Sequence, residues 1–155
     1  MGWSWAVVLA CLLDGLVLVH VPVCGVCARL LPGVVYLAGV EGGPEVGAKC
    51  GLLGGGLLWV CGASASQMAI LALLGGISGE VIHKSASYWG KWLGSLPLLA
   101  GAEGLVLGVH WLGGVPPAQG LWLAGLEVGL ESAGTGVLCF GSWLWQRRRM
   151  RRGRR

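Results

Sequence analysis

Four acidic side chains, Asp14, Glu103, Glu127 and Glu131, sit inside stretches that are otherwise apolar. An ionised acid in the middle of a membrane helix costs about 2.5–3.5 kcal/mol on insertion scales. Such a residue needs a charged partner, a wet cavity or a proton. Glu127 and Glu131 are four apart and share a helix face with Thr135, whereas Gly125, Gly129 and Ala133 lie on the other side. One helix thus carries a polar stripe fit to line a pore or pocket, and a small-residue stripe fit for close packing. Glu103 and His110, seven apart, occupy one face of another helix. A histidine beside acids in a wet site serves as a proton relay or gate near neutral pH. His20 lies six residues beyond Asp14 and faces elsewhere. The chemistry these residues suggest is passage of cations or protons, not bond making.

No enzyme is expected. There is no Gly-rich loop ending in Lys-Ser/Thr, no His-Glu-x-x-His and no Gly-x-Ser-x-Gly elbow. Cys24 and Cys27 form a lone CxxC, without the second pair or histidines that a zinc site needs. No metal or other cofactor is expected.

The elements that position these residues follow from composition. Of 155 residues, 55% are hydrophobic and 12% charged, with a mean hydropathy of +0.73. A soluble domain carries about twice that charged fraction. Seven of the eleven basic residues fall in the last nine positions: Arg147, Arg148, Arg149, Arg151, Arg152, Arg154 and Arg155. The remaining four face seven acids, so the body is negative and the tail strongly positive.

A helix crosses a bilayer with about 20 apolar residues. Spans are expected over residues 3–27, 51–76, 93–115 and 120–145, with 30–40 too short to cross alone and read as re-entrant or interfacial. Glu41-Gly42-Gly43-Pro44-Glu45 is a turn. Tyr88, Trp89 and Trp92 suit the headgroup region. The expected fold is therefore all-α: a polytopic transmembrane helical bundle of about four spans with short loops (residues 1–145) and an arginine-rich tail (146–155). Positive charge is retained in the cytoplasm, which places the C-terminus there, with Lys84 and Lys91 on its side and Arg29 and Lys49 opposite. The tail binds anionic lipid at about 1 kcal/mol per arginine. With no aromatic among the arginines, base recognition is not expected. The small-xxx-small spacings Gly51/Gly55, Gly75/Gly79, Ala100/Gly104/Gly108 and Gly125/Gly129 favour close helix contact, within one chain or in a homo-oligomer.

The segment Cys27-Ala28-Arg29-Leu30-Leu31-Pro32-Gly33-Val34-Val35-Tyr36-Leu37 resembles the turn of the small hydrophobic viroporins of hepaciviruses and pegiviruses. There a basic loop followed by Leu-x-Pro-Gly joins two membrane helices. The resemblance covers about a dozen residues directly and the first 40 or so in layout. It implies release from a viral polyprotein beside the envelope glycoproteins, residence in the host endoplasmic reticulum, oligomeric cation or proton conduction, and a part in virion assembly. This chain has one basic residue in the turn where two are usual, and its arginine tail is foreign to the pattern. The expected function is an oligomeric cation or proton pore, with Glu127, Glu131 and Glu103 attracting cations and His110 or His20 making conduction pH-dependent. The rival is a non-conducting scaffold that recruits envelope or nonstructural membrane proteins.

Overall fold

The computed structural model describes residues 2–20, 22, 29–82, 87–113 and 121–152. These form six α-helices and no strand: α1 (Gly2–Leu16), α2 (Leu31–Gly42), α3 (Pro44–Val60), α4 (Ala65–Ile82), α5 (Tyr88–Leu112) and α6 (Leu121–Arg152). Among the described residues, three helices are long and apolar enough to cross a membrane: α4, α5 over Trp89–Val109, and α6 over Trp122–Leu144. The outside of the bundle is as apolar as its inside. Trp5, Leu16, Val60, Trp111, Leu112, Trp122 and Val137 are all exposed. That arrangement suits lipid as the solvent and would be a liability in water.

Two expected spans are corrected. The helix anticipated over residues 3–27 ends at Leu16, followed by a 3-10 turn at Leu18–His20. In sequence, the β-branched Val17 and Val19 lower helix preference shortly before Pro22. The span anticipated over 51–76 is two helices. α3 stops at Val60, and α4 starts at Ala65. Gly62 adopts φ 96°, which L-residues rarely do. Its N–H donates to the Trp59 carbonyl at 2.9 Å, and that of Ala63 to the Leu58 carbonyl at 2.9 Å. This is a Schellman stop. The next helix opens where the Gln67 amide donates to the Ser64 carbonyl at 3.1 Å.

The 30–40 segment is α2, whose Pro32 stands at its first turn, where a missing N–H costs nothing. At 12 residues it is only about 18 Å long, too short to cross alone. It packs against each of the other five helices, and Leu31, Val35, Tyr36, Ala38 and Val40 are almost wholly buried. α2 is the axis of the bundle. Gly43 (φ 90°) turns the chain directly into α3, and Pro44 takes the first position there.

α3 and α4 form a tight antiparallel hairpin. A Cβ on Gly47 would strike the backbone of Gly75 and Gly39, one on Gly51 the backbone of Leu71, and one on Gly55 that of Met68. Gly47, Gly51 and Gly55 recur every fourth residue and make a smooth face on which backbone meets backbone. By contrast, a Cβ on Gly104, Gly108, Gly125 or Gly129 would meet nothing within 4 Å. These spacings, expected to favour contact within one chain or between copies, make none among the described residues.

The helices alternate in direction. The Lys91 ammonium lies 3.9 Å from the Glu41 carboxylate, which sets the start of α5 beside the end of α2. Trp3 packs on the cluster holding Tyr36, Leu37 and Val40, so α1 begins at this same end. Cys139 joins that cluster, so α6 runs on past it toward its arginines. Lys49, on α3 just after the Gly43 turn, is therefore at the arginine end, not opposite it as expected. The tail is not a separate segment either. α6 continues as helix through Arg152, while Arg154 and Arg155 lie outside the described residues.

Candidate functional site

At the end of the bundle opposite the arginines, α2 begins beside the last turn of α1. The first N–H groups of any helix lack intrahelical partners. Here they are met from another helix. Asp14 accepts a hydrogen bond from the Leu30 amide at 2.8 Å and from the Leu31 amide at 2.9 Å, one on each carboxylate oxygen. The carboxylate also sits at the positive pole of the α2 dipole. Asp14, expected among the pore acids, is a cap.

This cap holds Arg29 beside the polar face of α6. One guanidinium nitrogen lies 3.4 Å from Oε1 of Glu127. Glu103 comes in from α5 and Glu131 from one turn further along α6. One carboxylate oxygen from each of Glu103, Glu127 and Glu131 falls within 4.8 Å of the others. The three acids expected to attract cations thus converge inside a single chain.

Glu131 is the most demanding member. It is 1% exposed, and among the described residues neither of its carboxylate oxygens has a hydrogen-bond partner. Thr135 donates to the Glu131 backbone carbonyl at 2.8 Å and so does nothing for the side chain. Glu131 lines a cavity of about 420 Å³, together with Asp14, Arg29, Glu103, Gln67 and Cys61. The α3–α4 turn therefore closes over the acids, a wall that reading 51–76 as one span would have removed.

The remaining candidates lie elsewhere. His20 is exposed, in the 3-10 turn, and is not among the cavity residues. The side chain of His110, near the end of α5, lies outside the described residues, as do those of Arg147, Arg148, Arg149, Arg151 and Arg152 on α6. Cys24 and Cys27 lie outside them altogether.

Sequence reasoning missed two contributors. Arg29 was read as a loop charge, although it is the lone basic residue between Met1 and Glu45. A second polar station, at the arginine end, also went unseen. There the Tyr36 hydroxyl donates to the Lys91 carbonyl, and Lys91 pairs with Glu41. Between the stations, Ser78 donates to the Tyr36 carbonyl at 3.2 Å, and the Trp92 indole to the Ser132 carbonyl at 3.1 Å. Tyr36 and Glu41 bracket one helical turn and more of α2, so the polar groups follow the bundle axis.

The fold and this site define an all-helical protein with membrane-length apolar helices around an internal acidic cavity. Comparison with family models, curated proteins and solved structures gives no match.

Proposed function

We propose that the chain is an integral membrane protein that conducts protons or small cations through its own helix bundle. The Glu103–Glu127–Glu131 cluster is the entry station. The observation that carries this reading is the Glu131 carboxylate, buried, unpartnered and facing a cavity. A buried anion without a donor is expensive, and proteins keep such groups in membranes where charge must pass. The positive-inside rule puts the end carrying Lys49, Lys91 and the arginines in the cytoplasm, and the acids toward the other face. The short helix α2 supports the same reading. A helix that stops within the bilayer with its N–H groups capped is a device for building polar sites at depth. Asp14 supplies that cap. The likeness of residues 27–37 to viroporins favours a viral protein of the host endoplasmic reticulum acting in assembly.

The test is proton and potassium flux into liposomes containing the purified chain. Flux above empty vesicles is expected, falling to background in Glu131→Gln. Flux equal to empty vesicles, or unchanged in that variant, refutes the reading. A scaffold role is favoured by one observation: Gly104 and Gly108 on α5, and Gly125 and Gly129 on α6, are open to a neighbour. It predicts a stable homo-oligomer or partner complex that Gly108→Leu disrupts while flux is untouched.

A further inference from the structure

We propose that Glu103, Glu127 and Glu131 bind a single divalent hard cation of the magnesium, calcium or manganese class. The inference deepens the reading above by naming the cation, and it rests on the same cluster. Three observations support it.

The first is spacing. Oxygen ligands about 2.0–2.6 Å from a common ion lie at most about 5 Å from one another. One oxygen from each of the three glutamates already meets that condition, within 4.8 Å. A modest approach of each side chain toward the centre closes a three-carboxylate face.

The second is the state of Glu131. Among the described residues no donor reaches either of its oxygens, so as an anion it has no hydrogen bond to offset its burial. A cation satisfies it directly. The cavity of about 420 Å³ has room for the waters that complete an ion's coordination shell.

The third is charge. The three glutamates carry three negative charges when ionised, and Arg29, 3.4 Å from Glu127, returns one. The Asp14 carboxylate is engaged separately by the α2 amides. The balance of two negative charges is met by one divalent ion. An all-oxygen set suits hard cations of the magnesium, calcium and manganese class. Cys11 and Cys61 line the same cavity but stand outside the three-residue group, so they do not change that choice. No metal was expected from the sequence, because that reading weighed only Cys24 and Cys27.

The experiment uses the full chain in nanodiscs of zwitterionic lipid, with manganese as the probe and electron paramagnetic resonance as the readout. One Mn²⁺ per chain is expected, displaced by Mg²⁺ or Ca²⁺. Binding should weaken roughly ten-fold or more in Glu131→Gln and in Glu103→Gln. It should be unchanged in Glu45→Gln, which touches only the exposed pair with Lys49. Should one cluster variant fail to fold, the other decides. Absence of stoichiometric Mn²⁺, or equal affinity in a folded cluster variant, overturns the proposal. Glu131-dependent flux without Mn²⁺ binding would leave conduction standing and remove the divalent site. Mn²⁺ binding without flux would do the reverse.

Discussion

Replacing Asp14 by alanine should loosen the whole bundle, although Asp14 sits only two residues from the end of α1. Its carboxylate takes two amide hydrogens, at 2.8 and 2.9 Å, from the start of the helix that every other helix packs against. A hydrogen bond to a charged group is worth about 1.5–3 kcal/mol in soluble proteins. Within membranes, measured side-chain hydrogen bonds average about 0.6 kcal/mol and reach about 1.7. The lower scale governs here, because the unfolded chain in lipid also finds partners. Two bonds at its upper end, with the loss of the favourable α2 dipole, give about 4 kcal/mol for Asp14→Ala. Asparagine keeps one acceptor oxygen and no charge, so Asp14→Asn should cost about half as much. The assay is reversible unfolding in mixed micelles with increasing denaturing detergent, read by tryptophan fluorescence. Amide exchange at Leu30 and Leu31 should rise in parallel. If Asp14→Ala stays within about 0.5 kcal/mol of the parent, or if those two amides remain protected, the capping argument is wrong.

Four other outcomes follow from the same geometry. Gly75→Val should prevent folding or cost more than about 3 kcal/mol, since its side chain would enter the Gly47 backbone, whereas Gly104→Val, with open space, should change stability by less than about 0.5 kcal/mol; the detergent titration separates them. Trp92→Phe should cost about 0.6 kcal/mol by removing the indole bond to Ser132, in that same titration. A chain whose sole cysteine is Cys61, exposed at the α3–α4 turn, should react with an impermeant maleimide from the face opposite the arginines. Sole-cysteine Cys50 or Cys139 chains should stay unlabelled, as both are buried. Removal of residues 147–155 should weaken attachment of the chain's C-terminal segment to anionic vesicles by several kcal/mol, at about 1 kcal/mol per arginine before saturation, measured as binding of the isolated α6 peptide.

The sequence made the acids legible because their cost in lipid is high enough to demand an explanation. Spacing by four residues was enough to place Glu127 and Glu131 on one face. That Glu103 would meet them was not readable, since convergence of two helices is a matter of packing, not period. The span boundaries were blurred for a different reason. The apolar runs on either side of residues 61–67 are long enough to read as one span, and the dip between them is short. The marks were local: Gly62, then Ser64-Ala65-Ser66-Gln67, the Ser-x-x-Gln pattern of a helix start. In a chain with 30 glycines, one more carried little weight. The same abundance hid which glycine stripes matter. Gly47 has the same four-residue spacing as Gly51 and Gly55, and the stripe that packs differs from those that do not only in having a partner.

The brevity of α2 bears on how the protein is made. A 12-residue stretch leaves the ribosome too short to be held by a bilayer on its own, and Arg29 stands two residues before it. It can come to rest only when later helices surround it, and α4, one of its principal neighbours, is not synthesised until Ile82. Biogenesis must therefore shelter α2 at the insertion machinery, or leave it on the membrane surface, for at least forty residues of further synthesis. A fragment cut after Gly62 would strand it there.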